Sequence, residues 1–207
     1  VKNRHEAYRH RNARRELVWI NHVVGKRESR RLMGDYVLSQ SDLAENRRHE
    51  DAVAYAGWTM DLHHPCGFLT AGPQAHLEYL GRVTVPFRCL YSRNVDNLLM
   101  AGRNISVTHI GLAKTRVMRT CFLTGWAVGL GAAQAVKHGL RPRDLDQVQV
   151  KHIQQTILKE GGFLPGVVNE DPHDLARRAK VRGSSTAGID DPRYFVTLPQ
   201  YYWNCLL

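Results

Sequence analysis

The chain has 207 residues, of which 43% are hydrophobic and 23% are charged. This is the balance of an ordinary globular protein with room for one large domain or two small ones. The net charge of +10 is spread along the chain, which favours a solvated basic surface over a nucleic-acid footprint. No window approaches the roughly 18 consecutive apolar residues of a membrane-spanning helix, so no membrane span is expected.

The opening segment, residues 4–22, is basic and helix-compatible, and it lacks the apolar core of a signal peptide. Because the first residue is a valine and this segment already resembles a helix, we expect a piece of a longer protein. Residues 30–43 alternate well enough to predict a strand. Residues 45–64 are interpreted as a polar loop that runs into a short amphipathic helix or turn.

Residues 66–92 contain two prolines and are predicted to form loops and short strands. The run Leu98, Leu99 and Met100 is fully apolar and is soon followed by a glycine, at position 102. Such a run is typical of a strand buried on both faces, as in a parallel sheet.

Two helices are predicted next. The first covers about residues 114–138 and stops at Gly139, as a helix C-terminus commonly does. The second begins near Asp144 or Gln147 and ends at residue 159, before a pair of glycines.

The first of these helices carries an unusual number of small residues. Cys121, Gly125, Gly129 and Ala133 recur at intervals of four, and each interior glycine costs about 0.5–1 kcal/mol relative to alanine. The stripe indicates that another backbone or a ligand comes close. Tight packing on a sheet and a cofactor contact both remain open.

A polar loop precedes this helix, and Lys114 and Arg116 stand at its predicted front end. The first turn of a helix presents free N–H groups and the positive end of the dipole, so it attracts an anion or an electron-rich carbonyl. Basic residues there oppose helix stability unless something negative lies opposite. A ligand beyond the end of a sheet strand is therefore expected.

The four cysteines, Cys66, Cys89, Cys121 and Cys205, show no CxxC or other close spacing. They are expected to be buried, reduced thiols, and no metal site is predicted.

Several blocks together resemble the C-terminal half of a bacterial FAD-dependent oxidoreductase, related to flavoproteins of the fumarate reductase and glutathione reductase type. The resemblance covers about residues 15–185, and its blocks arrive in family order: VGKRESRRLMGDYVLSQSDL, DAVAYAGWTMDLHHP, VPFRCLYSRNVDNLLMAGRNISVTHIGLAKTRVMRTCFLTGWAVGLGAAQAVKHG and DLARRAKVRGSS.

This resemblance implies a mixed α/β (α+β) fold, namely an incomplete Rossmann-like domain of the FAD/NAD(P)-binding type with part of an inserted substrate domain. It implies that FAD is bound around Gly102, Arg103, Asn104, Ser106, His109, Thr115, Arg116 and Val117. The division expected is a substrate-domain portion with a connecting helix at 1–92 and the end of the FAD-binding domain at 93–162. Residues 163–207, with clustered Gly, Pro, Ser and Asp, would be a linker and the start of a further, β-rich module.

One departure from the family pattern is the absence of GxGxxG, the turn that receives the FAD pyrophosphate. The GLGAAQA segment lies inside a predicted helix and does not replace it. We expect the missing element to precede Val1, and this piece to hold FAD poorly by itself. Some relatives carry a four-iron, four-sulfur cluster, which the cysteine spacing does not support.

The chemistry implied is hydride transfer between a small organic substrate and the flavin, with an unidentified electron acceptor. Arg27 is a candidate for pairing with a substrate carboxylate, although a solvated basic strand edge is equally compatible. His63 and His64, beside Asp61, are candidates for the group that accepts the departing proton, although histidines are often structural.

Two other classes of function remain open. A non-catalytic interaction or structural domain would leave the polar loop without a ligand. A nucleic-acid module should gather basic groups and aromatics on one face, and the sequence shows no such pattern.

Overall fold

The computed structural model describes most of the chain between positions 28 and 179. The residues it describes are 10, 13–16, 18–23, 25, 28–64, 66, 69, 75–78 and 80–179, with the backbone alone at 75, 76, 176 and 178. Much of the opening segment and of the tail beyond 179 lies outside this set, as does Arg27.

Four helices and four strands form the regular structure of the described residues. The helices are α1 (Gln40–Ala44), α2 (His109–Thr115), α3 (Met118–His138) and α4 (Gln147–Lys159). The strands are β1 (Ala52–Ala56), β2 (Met60–His63), β3 (Ala75–Glu78) and β4 (Val83–Pro86). Short 3-10 turns occupy Phe87–Cys89, Gly102–Asn104, Pro142–Asp144 and Leu175–Arg178. None of the described helices is long and apolar enough to cross a membrane.

The strands form two antiparallel pairs, β1 with β4 and β2 with β3. The short strands expected within residues 66–92 are thereby confirmed. The strand expected at 98–100 is wrong, because Leu99 makes only a single bridge, to Tyr91. Leu98 is 37% exposed, so this run is covered on one side only and lacks the second face of a buried parallel strand.

The short helix expected within residues 45–64 is also wrong, since this segment supplies β1 and β2. Alanine alternates with Val53 and Tyr55 in β1, and its helix propensity favoured the mistaken interpretation. Four of the five β1 residues are buried, because the strand pairs with β4 and packs against α3 and α4. Tertiary burial thus overrides the local preference.

The strand expected over residues 30–43 reduces to one parallel bridge between Leu38 and Val107. Helix α1 begins immediately afterwards, where the Ser39 N–H donates to the Asp42 carboxylate at 2.8 Å. A serine followed three residues later by an acid is a helix start signal that competes with the strand pattern.

The helix expected over 114–138 is two helices, because the chain breaks at Arg116 and Val117. Val117 is extended, with ψ of 151°, and α3 starts after it. Helix α2 begins earlier, where the Thr108 hydroxyl accepts the N–H of Gly111. The stop at Gly139 is confirmed by its left-handed φ of 65°.

The second predicted helix is confirmed as α4. It starts after Asp146, whose carboxylate accepts the N–H groups of Val148 and Gln149. It ends at Lys159, and Gly161 follows with φ of 83°.

The core joins residues on both sides of position 92. Leu38, Val53 and Val85 share one buried cluster with Ala127 and Ile153. This cluster places α3 and α4 against the β1–β4 pair. The division into residues 1–92, 93–162 and 163–207 stays a prediction.

The glycine stripe of α3 does not pack on a sheet among the described residues. Gly125 and Gly129 are exposed, and apart from neighbouring backbone of α3 itself no described atom would lie within 4 Å of a β-carbon at either position. The buried face instead carries Ala127 and Gly131. A β-carbon at Gly131 would lie 2.6 Å from the Phe87 ring, so the close approach that the glycines indicated occurs there.

The described cysteines are free thiols, and Cys205 lies outside the described residues. Cys89 is buried, and burial raises the pKa of its thiol to about 12. Cys121 is half-buried and Cys66 is exposed, so the expectation of burial is wrong for Cys66.

Candidate functional site

The junction between α2 and α3 is tied to β2 by an ion pair. Arg116, the last residue before the break, donates through Nη2 to Oδ2 of Asp61 in a short contact. The two side chains are 17% and 13% exposed, so the pair is largely shielded from water. The chain itself therefore supplies part of the negative charge that the basic residues at this junction require.

Lys114 makes a second connection from α2 toward β2. Its side chain is fully buried, and Nζ donates to the carbonyl of Trp58 at 2.7 Å. Burial lowers the pKa of Lys114 to about 8. Because Lys114 and Arg116 lie at the C-terminus of α2, the helix dipole favours their positive charges, whereas the start of a single long helix would oppose them.

His63 lies beside the same carboxylate. Its Nε2 is 3.1 Å from Oδ1 of Asp61, within the distance of an ion pair. Oδ1 is nevertheless buried and has no hydrogen bond among the described residues. A hydrogen bond requires a suitable angle at the donor as well as a short distance. The His63 side chain is 52% exposed, so its ring has room to rotate.

Glu28 holds a second histidine on the other side of Arg116. The Nδ1 of His109 lies 2.7 and 2.9 Å from the two carboxylate oxygens of Glu28, and Arg31 contacts the same group. An ionised carboxylate only accepts hydrogen bonds, so Nδ1 of His109 carries a proton. Burial raises the pKa of Glu28, but His109 and Arg31 outweigh it, and the pKa lies below its usual value.

Two cavities meet at this junction and share Glu28, Leu112 and Arg116 as walls. The inner cavity, of about 180 Å³, is also lined by Asp61, Leu62, His63, His109 and Ala113. The arginine cavity, of about 450 Å³, is lined by Arg30, Arg31, Arg103 and Arg116, and its only acidic lining residue in the described part is Glu28.

The structure brings together most of the residues that the sequence analysis singled out. Gly102, Arg103, Asn104 and Arg116 line the arginine cavity. His63, His109 and Arg116 line the inner cavity.

The others lie elsewhere. Ser106 and Thr115 are buried, and the Thr115 hydroxyl donates to the Gly111 carbonyl. Val117 is the N-cap of α3, and His64 is exposed, with Nδ1 accepting the N–H of Cys66. Arg27 lies outside the described residues.

Sequence reasoning singled out residues 25–29 for Arg27 and assigned no role in the site to Glu28 or Arg31. The Glu28–His109 contact joins residues 81 positions apart, and no local pattern reports such a pairing. The only signal was negative charge within an otherwise basic segment, residues 26–31.

The chain belongs to the FAD dependent oxidoreductase family, because the model of that family matches residues 6–157. No curated protein and no solved structure matches the chain.

This match confirms the FAD-dependent oxidoreductase family that the sequence blocks suggested, and it indicates a redox flavoprotein-type domain. FAD as the cofactor and a small molecule as the substrate follow from the family, and the mixed helices and strands are consistent with it. No group of His, Cys, Asp and Glu within the described part is arranged to hold a metal ion.

Replacing Lys114 by methionine should change how stability depends on pH. The folded-state pKa of about 8 lies below the ordinary 10.5, so the unfolded chain holds more protons between these values. The free energy of unfolding of the parent protein should therefore rise relative to Lys114→Met as pH increases from 8 to 10.5, by up to roughly 3 kcal/mol. Urea unfolding at several pH values measures this difference.

Lys151→Met is the matched control, because Lys151 is 58% exposed and pairs with Glu170 at the surface. The difference in free energy of unfolding between Lys151→Met and the parent should stay nearly constant from pH 8 to 10.5. If the free energy of unfolding varied with pH in the same way for the parent and both variants, the assignment of a lowered pKa to Lys114 would be wrong.

Proposed function

We propose that the protein transfers hydride between a small organic substrate and FAD, with the cofactor seated along the arginine cavity. The observation that carries this proposal is that four arginines line the cavity and that Glu28 is its only acidic lining residue in the described part. Arginine donors in this number suit the anionic and electron-rich parts of FAD.

The loop before α2 would hold the cofactor. Gly102 has φ of 86°, and its N–H donates to the Thr124 hydroxyl of α3 at 3.1 Å, which fixes this turn against the helix. Arg103 and Asn104 follow it and line the same cavity as Arg116. When bound, FAD supplies a flavin ring that accepts two electrons as hydride.

The proton that leaves the substrate would pass to His63 and Asp61. Oxidation of an alcohol or amine carbon removes a hydride from carbon and a proton from the heteroatom, and the proton needs a basic acceptor. His63 lines the inner cavity, and its Nε2 lies 3.1 Å from the Asp61 carboxylate. Arg116 orients that carboxylate from the other side. A separate electron acceptor must take the two electrons to complete the cycle.

The two histidines differ in what they contact. His64 uses its Nδ1 to accept the Cys66 N–H and does not line the inner cavity. The geometry therefore favours His63 over His64 as the proton acceptor.

Replacing Arg103 by alanine should lower the flavin content of the protein. Arg103 lines the arginine cavity but not the inner cavity, so it has no role in the proposed proton transfer. Its loss should weaken FAD binding by roughly five-fold or more. The flavin-to-protein absorbance ratio, measured on protein expressed from the complete coding sequence, reports this loss.

Arg141→Ala is the control, because Arg141 is 52% exposed and pairs with Asp96 and Asp144 away from both cavities. Its flavin content should match that of the parent. Equal flavin content in the Arg103 and Arg141 variants would show that FAD does not bind in the arginine cavity.

Substitution of the two histidines should separate their roles. His63→Gln should slow substrate-dependent bleaching of the flavin by roughly 100-fold, since it removes the proton acceptor. His64→Gln should leave this rate within about two-fold of the parent. Anaerobic stopped-flow mixing measures both rates, and a slow His64 variant beside an unaffected His63 variant would reverse the assignment.

A further inference from the structure

The inner cavity presents one unused acceptor and one set of unused donors. Oδ1 of Asp61 is buried and accepts no hydrogen bond among the described residues. The Arg116 side chain makes one hydrogen bond within the described part, through Nη2 to Asp61, so its other guanidinium N–H groups have no hydrogen-bond partner there. Buried polar groups are normally paired, which Oδ1 is not, and the partly exposed guanidinium group of Arg116 belongs to a wall of the same cavity.

The spacing of these groups restricts what can satisfy both of them. Asp61 and Arg116 touch each other through Oδ2 and Nη2. A ligand that reaches Oδ1 of Asp61 and a free N–H of Arg116 must therefore carry its donor and its acceptor close together. A hydroxyl and a carboxylate on adjacent carbons have this arrangement. A ligand with these two groups at opposite ends of a chain does not.

The size of the cavity sets a second limit. The inner cavity has a volume of about 180 Å³. Leu62, Leu112 and Ala113 supply an apolar part of the wall. The space suits a short alkyl group attached to the two polar functions.

The number of unused acceptors decides between a hydroxyl and an ammonium group. Glu28 is engaged by His109 and Arg31, and Oδ2 of Asp61 is engaged by Arg116. One carboxylate oxygen is left, which matches the single donor of a hydroxyl. An ammonium group brings three donors, more than the two lone pairs of Oδ1 can accept, so at least one donor would need a further partner.

We propose that the inner cavity binds a short 2-hydroxy carboxylic acid, with its carboxylate on Arg116 and its hydroxyl donating to Asp61. This inference rests on the proposed function, since it names the substrate of the same site. Rotation of the exposed His63 ring opens Oδ1 to the hydroxyl. In the oxidation, the C2–H bond breaks and its electron pair leaves as hydride to FAD. The hydroxyl proton passes to the Asp61–His63 pair, and C2 becomes the carbonyl of a 2-oxo acid.

Four probes of one carbon skeleton test this assignment. They are lactate, lactamide, which lacks the negative charge, propionate, which lacks the hydroxyl, and alanine, which has an ammonium group. Isothermal titration calorimetry with excess FAD gives the dissociation constants without requiring turnover. Lactate should bind at least ten-fold more tightly than each of the other three.

Two variants assign the groups. Asp61→Asn should abolish the preference for lactate over propionate, and Arg116→Lys should abolish the preference for lactate over lactamide, because lysine keeps the charge but loses the planar fork. Asp144→Asn is the matched control, since this carboxylate also pairs with an arginine but lines neither cavity. It should keep every preference of the parent.

The outcomes separate this inference from the proposed function. If the protein holds flavin but binds lactate no better than lactamide, propionate or alanine, or binds none of them, the substrate assignment is wrong and the flavoprotein proposal stands. If lactate is preferred but the protein never takes up FAD, the proposed function fails while the binding assignment holds. Preferences that survive both Asp61→Asn and Arg116→Lys would move the binding site elsewhere.

Discussion

The ion pair between Arg116 and Asp61 is the constraint on which the rest of the site depends. It joins the break between α2 and α3 to β2, and both cavities use Arg116 as a wall. Since both side chains are mostly shielded from water, loss of either one would leave its partner as an unpaired charge, which is far more costly than loss of an exposed ion pair. His63 lies two residues beyond Asp61 on the same strand, with Nε2 3.1 Å from Oδ1 of Asp61.

The helix break changes the physical basis for a ligand. Had residues 114–138 formed one helix, its basic front end would have needed an external anion. Lys114 and Arg116 instead end α2, where the dipole favours them, and each has a partner within the chain. The region that would attract an anionic ligand is therefore not a helix terminus but the arginine cavity, which four arginines and one acidic residue line among the described residues. The cavity is joined to α3 because the Gly102 N–H bonds to Thr124.

The sequence predicted those features that depend on local chemistry. Gly139 and Asp146 mark a helix end and a helix start through signals within a few residues, and the family follows from blocks in order along the chain. The β1 strand was missed because its alanines favour a helix in isolation, while pairing with β4 decides the outcome. The Glu28–His109 pair was missed because only the fold brings residues 81 positions apart together.

A double-mutant cycle on Arg116 and Asp61 tests the central claim most directly. The free energies of unfolding of Arg116→Ala, Asp61→Ala and the double variant would be compared with that of the parent. A coupling free energy of about 1–3 kcal/mol, with the double variant no less stable than the worse single variant, is the predicted result. Single effects that add to within about 0.3 kcal/mol would show that the two residues are independent, and the junction would then have to be held by other contacts.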